Sequence, residues 1–293
     1  MRSFLSILIS LLGSSYVDYA ADHNWMTKIP DKVLISSLNI PGTHNAGALF
    51  EPFPRTAKCQ TLTLGEQLES GVRFFDIRCC HQNDSFSIYH GPVSQKLNFE
   101  AVLNTMTSFL KKNPSEFVIL SIKEEHRSNS TTRSFSDTVH FYIKKEPLLW
   151  YTKQRIPRLA DVRGKLVLLR RFPSAKPLGI PATDWGHNGL HVGKNIFVQD
   201  RFALPDAQTK WKIIEQAFEQ SRKDSKLNRL HLHYTSGYTQ GLFGIPNITA
   251  ISKPINKRLM NYLKFQRKFR HGCIVVDFMT PELSRAIYLQ NFN

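Results

Sequence analysis

The 293-residue sequence lacks several features that define common protein classes. It has no glycine-rich nucleotide loop, and its four cysteines match no zinc-site spacing, so neither a dinucleotide nor a structural zinc site is indicated. After the first 20 residues, no apolar run is long enough to span a bilayer. There is no internal repeat and no low-complexity linker, so nothing in the composition marks a boundary between domains.

Acidic residues are scarce relative to basic ones. The chain has 23 Asp and Glu against 39 Lys and Arg, which gives a formal net charge of +16. This balance favours an anionic partner, either nucleic acid or an acidic membrane surface. The basic residues are scattered except for a concentration at 253–270, which would equally suit a solvated helix face. Hydrophobic residues make up 41%, enough for a sizeable core.

The N-terminus has the layout of a secretory signal peptide, in which a basic residue precedes a short apolar run and then small residues. We therefore expect residues 1–20 to be removed and residues 21–293 to form the secreted domain. Cleavage after Ser15 and cleavage after Ala20 are both compatible with the sequence. The alternative is a buried N-terminal strand or helix.

Secretion would permit two modifications. An oxidising compartment allows a disulfide, and Cys59 could pair with Cys79 or Cys80, although free buried thiols are equally compatible. At most one of the adjacent pair is expected to face a given partner, because alternate strand residues point to opposite sides. In a eukaryote, three sequons would be candidate glycosylation sites: Asn83, Asn129 and Asn247.

Strand-like and helix-like segments alternate along the chain, which favours a parallel α/β fold. The sequence predicts, among others, a strand at 117–123 and a helix at 254–269. Polar residues follow several apolar strands at their C-terminal ends: Arg78, Lys123, Arg171, Asp200 and Asp277. Such ends converge on the active site in a (β/α)₈ barrel and also in a doubly wound sheet. We predict the barrel, because the chain has no nucleotide loop for the doubly wound alternative.

Two histidines lie in glycine-containing turns. His44 follows Pro41-Gly42-Thr43, and His90 precedes Gly91-Pro92. Two histidines can supply one base and one acid near neutral pH. Arg78, which ends the strand between them, is a permanent cation that can grip a phosphate. This combination suggests cleavage of a phosphodiester.

Further motifs occur in order along the chain: Ile40-Pro41-Gly42-Thr43-His44, Phe75-Asp76-Ile77-Arg78, Tyr89-His90-Gly91-Pro92, Asn113-Pro114-Ser115-Glu116, Ser121-Ile122-Lys123 and Val198-Gln199-Asp200-Arg201-Phe202. Together they resemble the catalytic X domain of phosphatidylinositol-specific phospholipase C, most of all the small secreted bacterial type. The resemblance implies a single α/β domain, a distorted and incompletely closed (β/α)₈ TIM barrel. It also implies attack of an inositol 2-hydroxyl on the phosphorus, which releases diacylglycerol and inositol 1,2-cyclic phosphate.

The resemblance also implies the roles of individual residues. His44 corresponds to the general base, Asp277 to the carboxylate that orients it, and His90 to the general acid. Arg78 corresponds to the phosphate clamp, and Asp76 to a carboxylate that supports the basic groups. The positions expected to bind the inositol are Lys123, Arg171, Asp200 and Phe202.

Two positions depart from the bacterial pattern. Asn45 replaces an aspartate next to the base, and a neutral amide cannot stabilise a cation as a carboxylate does. We expect slower turnover as a result. Phe202 replaces a tyrosine and keeps only the stacking face. In metal-dependent eukaryotic relatives, the residue at the position of Asn45 is a calcium ligand. The other calcium ligands of those relatives are carboxylates, and this chain has Arg78 and Lys123 at two of their positions. We therefore expect metal-independent chemistry without a cofactor.

Two segments could rest on a membrane. One contains Leu49, Phe50 and Phe53, and the other, within 238–246, contains Leu242 and Phe243. Exposed apolar side chains on loops suit interfacial insertion, although these could instead tuck into the core. The expected partners are phosphatidylinositol or a glycosylphosphatidylinositol anchor within an anionic membrane, with no nucleic acid. We expect a monomer.

Two other functions fit parts of the sequence. A ribonuclease-like enzyme would use analogous chemistry, but an RNA groove would show aromatic residues interleaved with basic ones. A catalytically impaired lipid- or glycan-binding protein on the same scaffold is compatible with Asn45. Formation of a cyclic phosphate product distinguishes the enzyme from this binding protein.

Overall fold

Helices and strands alternate in the computed structural model, which describes residues 23–265 and 269–292. The predicted signal peptide lies outside these residues. The strands are β1 Ile40–Thr43, β2 Phe74–Gln82, β3 Ser85–His90, β4 Val93–Asn98, β5 Val118–Asn129, β6 Trp150–Tyr151, β7 Leu166–Arg171, β8 Ile180–Pro181, β9 Gly189–Val192, β10 Ile196–Asp200, β11 Leu230–Tyr234, β12 Thr239–Gln240, β13 Pro246–Asn247 and β14 Cys273–Val276. The helices are α1 Leu64–Glu69, α2 Phe99–Lys112, α3 Phe135–Lys145, α4 Leu159–Val162, α5 Ala207–Lys223, α6 Thr249–Phe265 and α7 Pro281–Tyr288.

The main sheet is an open barrel. Its strands follow the order β6-β7-β5-β2-β1-β14-β11-β10-β9, and each neighbouring pair is parallel except β10 with β9. The β3–β4 hairpin extends from β2, and β8 adds to β7. Within the described residues no ladder joins β6 to β9, so the barrel is incompletely closed, which confirms the prediction.

Alternate residues of the strands face two different cores, as the pleat of a strand requires. Phe74, Ile119 and Val275 belong to the core inside the barrel. Their neighbours Phe75 and Leu120 belong to the core between the sheet and the outer helices. Strands buried on both faces are near-continuous apolar runs in the sequence, which is why they were recognisable.

Capping side chains start the outer helices. Thr63 and Glu66 form a reciprocal capping box at α1. Asn98 accepts from the backbone N–H of Ala101 at 2.8 Å to start α2, and Asp206 caps α5 in the same way. Such caps satisfy N–H groups that have no partner inside the helix. None of the described helices is long and apolar enough to cross a membrane.

Strand register brings the polar strand ends to one level. Arg78 on β2 lies beside Lys123 on β5, and Lys123 lies beside Arg171 on β7. On the other side of β2, the backbone N–H of His44 donates to the carbonyl of Val276 at 3.0 Å. The predicted site residues therefore converge at the C-terminal end of the barrel.

A buried ion pair joins β2 to the turn before β5. Arg73 Nε lies 2.9 Å from Glu116 Oε2, and neither side chain is exposed. The Arg73 guanidinium also donates to the carbonyls of Leu68 and Val72 at 2.9 and 2.8 Å. Glu116 in turn accepts from the backbone N–H of Met26 at 3.0 Å. Every charge at this place is paired or hydrogen-bonded, as burial in a low dielectric demands.

Several element boundaries differ from the sequence prediction, and β2, which we expected to end at Arg78, continues to Gln82. β5 continues to Asn129 instead of ending at Lys123, because β2 pairs with it beyond the apolar segment. α6 begins at Thr249, with Pro254 inside it. Asn247 Oδ1 accepts from the backbone N–H of Ala250 at 3.2 Å and starts this helix one turn before the proline that we expected at its first position.

The predicted disulfide does not form. Cys59, Cys79, Cys80 and Cys273 are all buried free thiols. Cys79 faces the outer core and packs with Phe86 and other apolar residues. Cys80 Sγ lies 3.5 Å from the carbonyl of Arg127, whereas Cys59 Sγ approaches His90. The three thiols thus point to different surroundings, because adjacent strand residues face opposite sides of the sheet.

Candidate active site

His44 stands between a carboxylate and a guanidinium. Its Nδ1 lies 2.7 Å from Asp277 Oδ1, and its Nε2 lies 2.9 Å from a terminal nitrogen of Arg78. A carboxylate accepts and a guanidinium only donates, so the proton of the neutral ring is on Nδ1 and Nε2 carries the lone pair. This is the tautomer that a general base needs, with Asp277 holding the ring as in a hydrolase triad.

Arg78 is held by two carboxylates. Its Nε donates to Asp76 Oδ2 at 3.1 Å, and a terminal nitrogen donates to Glu125 Oε1 at 3.2 Å. Burial lowers the pKa of Arg78, but the charges of Asp76 and Glu125 outweigh it and raise the pKa well above its usual value. The guanidinium is therefore a fixed cation at the rim of the pocket.

The same carboxylates hold the other two cations. Arg171 donates to Asp76 Oδ1 at 3.1 Å, and Lys123 Nζ donates to Glu125 Oε2 at 2.8 Å. Burial alone would raise the pKa of Asp76 and Glu125, but the neighbouring cations bring both below their ordinary values. Both carboxylates are ionised at neutral pH, which keeps the three cations in place.

His90 faces His44 across the pocket. The two ring centroids are 6.3 Å apart, and the rings are nearly perpendicular. His90 Nδ1 lies 2.7 Å from the carbonyl of Ala57, so Nδ1 carries a proton and Nε2 is the nitrogen left for catalysis. Burial lowers the pKa of His90 and the positive charge of Arg78 lowers it further, although the hydrogen bond to the Ala57 carbonyl acts in the opposite direction.

Asn45 is buried beside the base. Its Nδ2 lies 3.4 Å from His44 Nε2, and its backbone N–H lies 3.4 Å from Asp76 Oδ2. Its φ of 43° is in the left-handed region, which Asn and Asp tolerate better than most residues. The amide thus takes the position next to the base that the sequence predicted, without adding a charge.

A cavity of about 240 Å³ lies over these groups. Its lining includes His44, Arg78, His90, Asp277 and Phe202. The residues expected to bind the inositol lie along this end of the barrel, where Asp200 is buried and Phe202 half-buried. The arrangement offers a base, an acid and a phosphate clamp around a space for a polar ring.

Residues 51–172 match the family model described as the X domain of phosphatidylinositol-specific phospholipase C. The chain is 33% identical to 1-phosphatidylinositol phosphodiesterase of Listeria monocytogenes over 281 residues, covering 91% of this chain and 84% of the relative. The chain belongs to the phosphatidylinositol-specific phospholipase C X-domain family.

Other members support the assignment over most of the chain. A 1-phosphatidylinositol phosphodiesterase of Staphylococcus aureus is 27% identical over 302 residues, 94% of this chain and 92% of its own length. A mutant of the S. aureus phospholipase superimposes with a TM-score of 0.82 at 25% identity, covering 92% of this chain and 98% of that one. The L. monocytogenes enzyme superimposes with a TM-score of 0.75 at 29% identity, covering 92% and 99%.

Sequence reasoning missed several residues of this phospholipase C-like site. Glu125 lies two residues beyond Lys123 on the same face of β5, a periodicity that could have revealed it. Trp185 stacks on the Arg171 guanidinium at 3.4 Å, and Tyr234 packs edge-on against His44. Nothing in the local sequence of Trp185 marks this contact, because it comes from a loop.

Lys210 is a buried cation behind the family site. It lies on α5 and its Nζ donates to the carbonyl of Arg201 at 2.6 Å. Burial lowers its pKa to about 7, although Asp200 and Asp277 act in the opposite direction. The positive charge of Lys210, on a helix outside the barrel, therefore interacts with two of the predicted site carboxylates.

The predicted rim segments have exposed aromatic side chains. The exposed fractions of Phe243 and Phe53 are 90% and 70%. Phe50 lies under Lys96 Nζ, 3.9 Å from the ring centroid, and Leu49 is half-buried. Leu242 and Phe243 share one short 3₁₀ turn, in which Phe243 has a φ of 59°. Phe53 and Phe243 are therefore in contact with solvent, and Gly244, the neighbour of Phe243, lines the cavity.

Two of the three candidate glycosylation sites, Asn83 and Asn129, lie away from the cavity, and Asn247 is the exception. Asn83 and Asn129 are exposed, and the backbone N–H of Asn83 donates to the carbonyl of Asn129 at 3.3 Å. Asn247 is half-buried, and its side chain starts α6.

Cys59, once a disulfide candidate, is a buried thiol whose pKa is raised by burial and by the charge of Asp277. It is therefore not an activated nucleophile.

Proposed function

We propose that this chain is a phosphatidylinositol-specific phospholipase C that forms inositol 1,2-cyclic phosphate and diacylglycerol. The observation that carries the proposal is the arrangement of His44 between Asp277 and Arg78, with His90 facing it. The curated relatives from L. monocytogenes and S. aureus are phosphatidylinositol phosphodiesterases, which supports the same substrate class.

The reaction is one intramolecular displacement. His44 Nε2 removes the proton of the inositol 2-hydroxyl, whose oxygen then bonds to phosphorus, and Asp277 stabilises the resulting imidazolium. The bond from phosphorus to the glycerol oxygen breaks, and His90 Nε2 donates a proton to that oxygen. Arg78 moves its donor from the base to a phosphate oxygen and stabilises the developing negative charge.

We also infer that the reaction needs no metal. Arg78 and Lys123 occupy the positions where metal-dependent relatives have carboxylate ligands for calcium. Each is already paired with Glu125, at 3.2 and 2.8 Å. Two cations offer a calcium ion no oxygen ligand and repel it. Activity that is unchanged after treatment with a chelator is the expected result.

Phosphatidylinositol and a glycosylphosphatidylinositol anchor offer the same reacting headgroup. The anchor carries a glycan on the inositol, so the width of the rim decides between the two substrates. We propose a secreted monomer that acts at an anionic membrane surface, with the rim aromatics in contact with lipid. Binding of Phe243→Ser to phosphatidylinositol vesicles should be weaker than that of the unchanged protein, as measured by co-sedimentation. Equal binding would argue against this loop.

The decisive test is product formation. Vesicles that contain phosphatidylinositol are incubated with the protein, and ³¹P NMR follows inositol 1,2-cyclic phosphate, with His44→Ala as the matched control. Cyclic phosphate from the unchanged chain alone supports the enzyme. Vesicle binding without product from either protein would favour the impaired lipid-binding protein, which Asn45 keeps as the second candidate.

A further inference from the structure

Cys59 is a buried side chain for which the proposed reaction has no use. It lies in the loop before α1, where its backbone N–H donates to the carbonyl of Ala48 at 2.9 Å. Its Sγ lies 3.7 Å from His90 Nδ1, at the back of the catalytic cavity. A thiol adds a soft ligand to a site that otherwise offers only nitrogen and oxygen.

Cys59 completes a set of three metal-ligand types. Among the described residues, a ring nitrogen of His44, the Sγ of Cys59 and a carboxylate oxygen of Asp277 all lie within 4.8 Å of one another. With bond lengths of 2.0–2.3 Å, ligand atoms around a tetrahedral zinc ion lie about 3.3–3.8 Å apart. Binding therefore requires the more distant ligand atoms to approach one another and the 2.7 Å contact between His44 Nδ1 and Asp277 Oδ1 to open.

A second observation points into the same place. Asp277 is 1% exposed, and its Oδ2 has no hydrogen-bond partner among the described residues. The Cys59 thiol interacts with this carboxylate, but a buried acceptor without a well-formed hydrogen bond still costs free energy. A bound cation would satisfy it.

The Arg78 guanidinium is a positive charge in direct contact with the base of this set. Arg78 approaches His44 from the Nε2 side, whereas Asp277 faces Nδ1. The guanidinium is also paired with Asp76 and Glu125, which offset part of its charge. His90 Nδ1 is engaged by the carbonyl of Ala57, so the fourth ligand would be water. Because the set contains sulfur and nitrogen, it selects a thiophilic ion over calcium.

We propose that His44, Cys59 and Asp277 form an inhibitory site for a thiophilic divalent cation, with Zn²⁺ as its test ion. The ion coordinates both the base and the carboxylate that supports it, so neither can act in catalysis while the ion is bound. The binding claim does not depend on the reaction; only the inhibition rests on the proposed function.

Titration calorimetry with untagged protein tests the binding. Zn²⁺ should bind the unchanged chain at one site whose affinity falls at least tenfold in Cys59→Ala, whereas Cys80→Ala, which removes a thiol outside the cavity, retains it. Without added metal, Cys59→Ala should cleave phosphatidylinositol at the rate of the unchanged chain. It should also resist zinc concentrations that inhibit that chain.

Titration with Cd²⁺ tests the site in the unchanged chain, so the result does not depend on whether a variant folds. A cadmium–thiolate bond gives a charge-transfer absorption in the ultraviolet, and the unchanged chain should develop it at one equivalent. Absence of this band, or equal zinc affinity in Cys59→Ala, would overturn the proposal. If the chain cleaves no phosphatidylinositol but shows the cysteine-dependent band, the metal site stands and the proposed function fails.

Discussion

Asn45→Asp is the substitution that best tests the chemistry of the site. The side chain lies 3.4 Å from His44 Nε2, the atom that gains a proton in the transition state. A carboxylate there would stabilise a charge that the ground state lacks, and such differential stabilisation raises kcat. The backbone should accommodate the change, because Asp tolerates the φ of 43° as Asn does.

The magnitude follows from the distance. Two unit charges 3.4 Å apart interact by about 1.2 kcal/mol at the dielectric constant of water and about 5 kcal/mol at an effective value of 20. The His44 side chain is 14% exposed, and Arg78 would share the new charge, so the lower part of this range applies. We expect a gain of about 1.4 kcal/mol, which is a roughly tenfold increase in kcat.

The assay is the initial rate of cyclic phosphate formation from phosphatidylinositol vesicles. Asn104→Asp, which adds the same charge on the exposed face of α2, is the matched control and should leave the rate unchanged. Because the new carboxylate replaces an amide that is only 2% exposed, the variant should also unfold at a lower temperature. An unchanged or lower rate in a folded Asn45→Asp variant would refute the reasoning.

Three further predictions concern the proton carriers and the core. Asp277→Asn should lower kcat by about a thousandfold or more, measured by the same assay, because an amide no longer fixes the His44 tautomer; a loss below tenfold would contradict this. His90 must be protonated to act as the acid, and its pKa is lowered from 6.5, so kcat/KM should fall as pH rises, with an apparent pKa below that value; a midpoint above 7 would contradict it. Arg73→Met should cost about 3–5 kcal/mol of unfolding free energy in urea, and adding Glu116→Leu should restore most of it; equal loss in the single and double variants would argue against the pair.

The strand ends of the site were predictable from the sequence, and the physical reason is burial. β2, β5, β7 and β14 are covered on both faces, so their apolar runs stand out, and the predicted site residues lie at or just beyond the ends of these runs. This rule singled out Arg78 and Asp277, both of which line the cavity. The same rule predicted that β5 ends at Lys123, which is too early. The rest of this strand pairs with β2 but consists mostly of polar residues, so no apolar run in the sequence marks it.

The remaining residues depend on contacts that local sequence does not encode. Trp185 reaches Arg171 from a loop, and Lys210 reaches the site carboxylates from the helix layer. The free thiol of Cys59 was hidden by the same limitation, since spacing along the chain does not reveal which cysteines meet in space.

The alternation of the strands between two cores constrains how this molecule can change during evolution. Deleting one residue within β2 would shift every later side chain of the strand to the opposite face. Arg78 would then point into the hydrophobic core between the sheet and the outer helices, and a hydrophobic neighbour would replace it in the pocket. Substitutions can therefore tune the chemistry one position at a time, but length changes in these strands are forbidden. Variation in length must accumulate in the connecting loops, including the two that we propose contact the membrane.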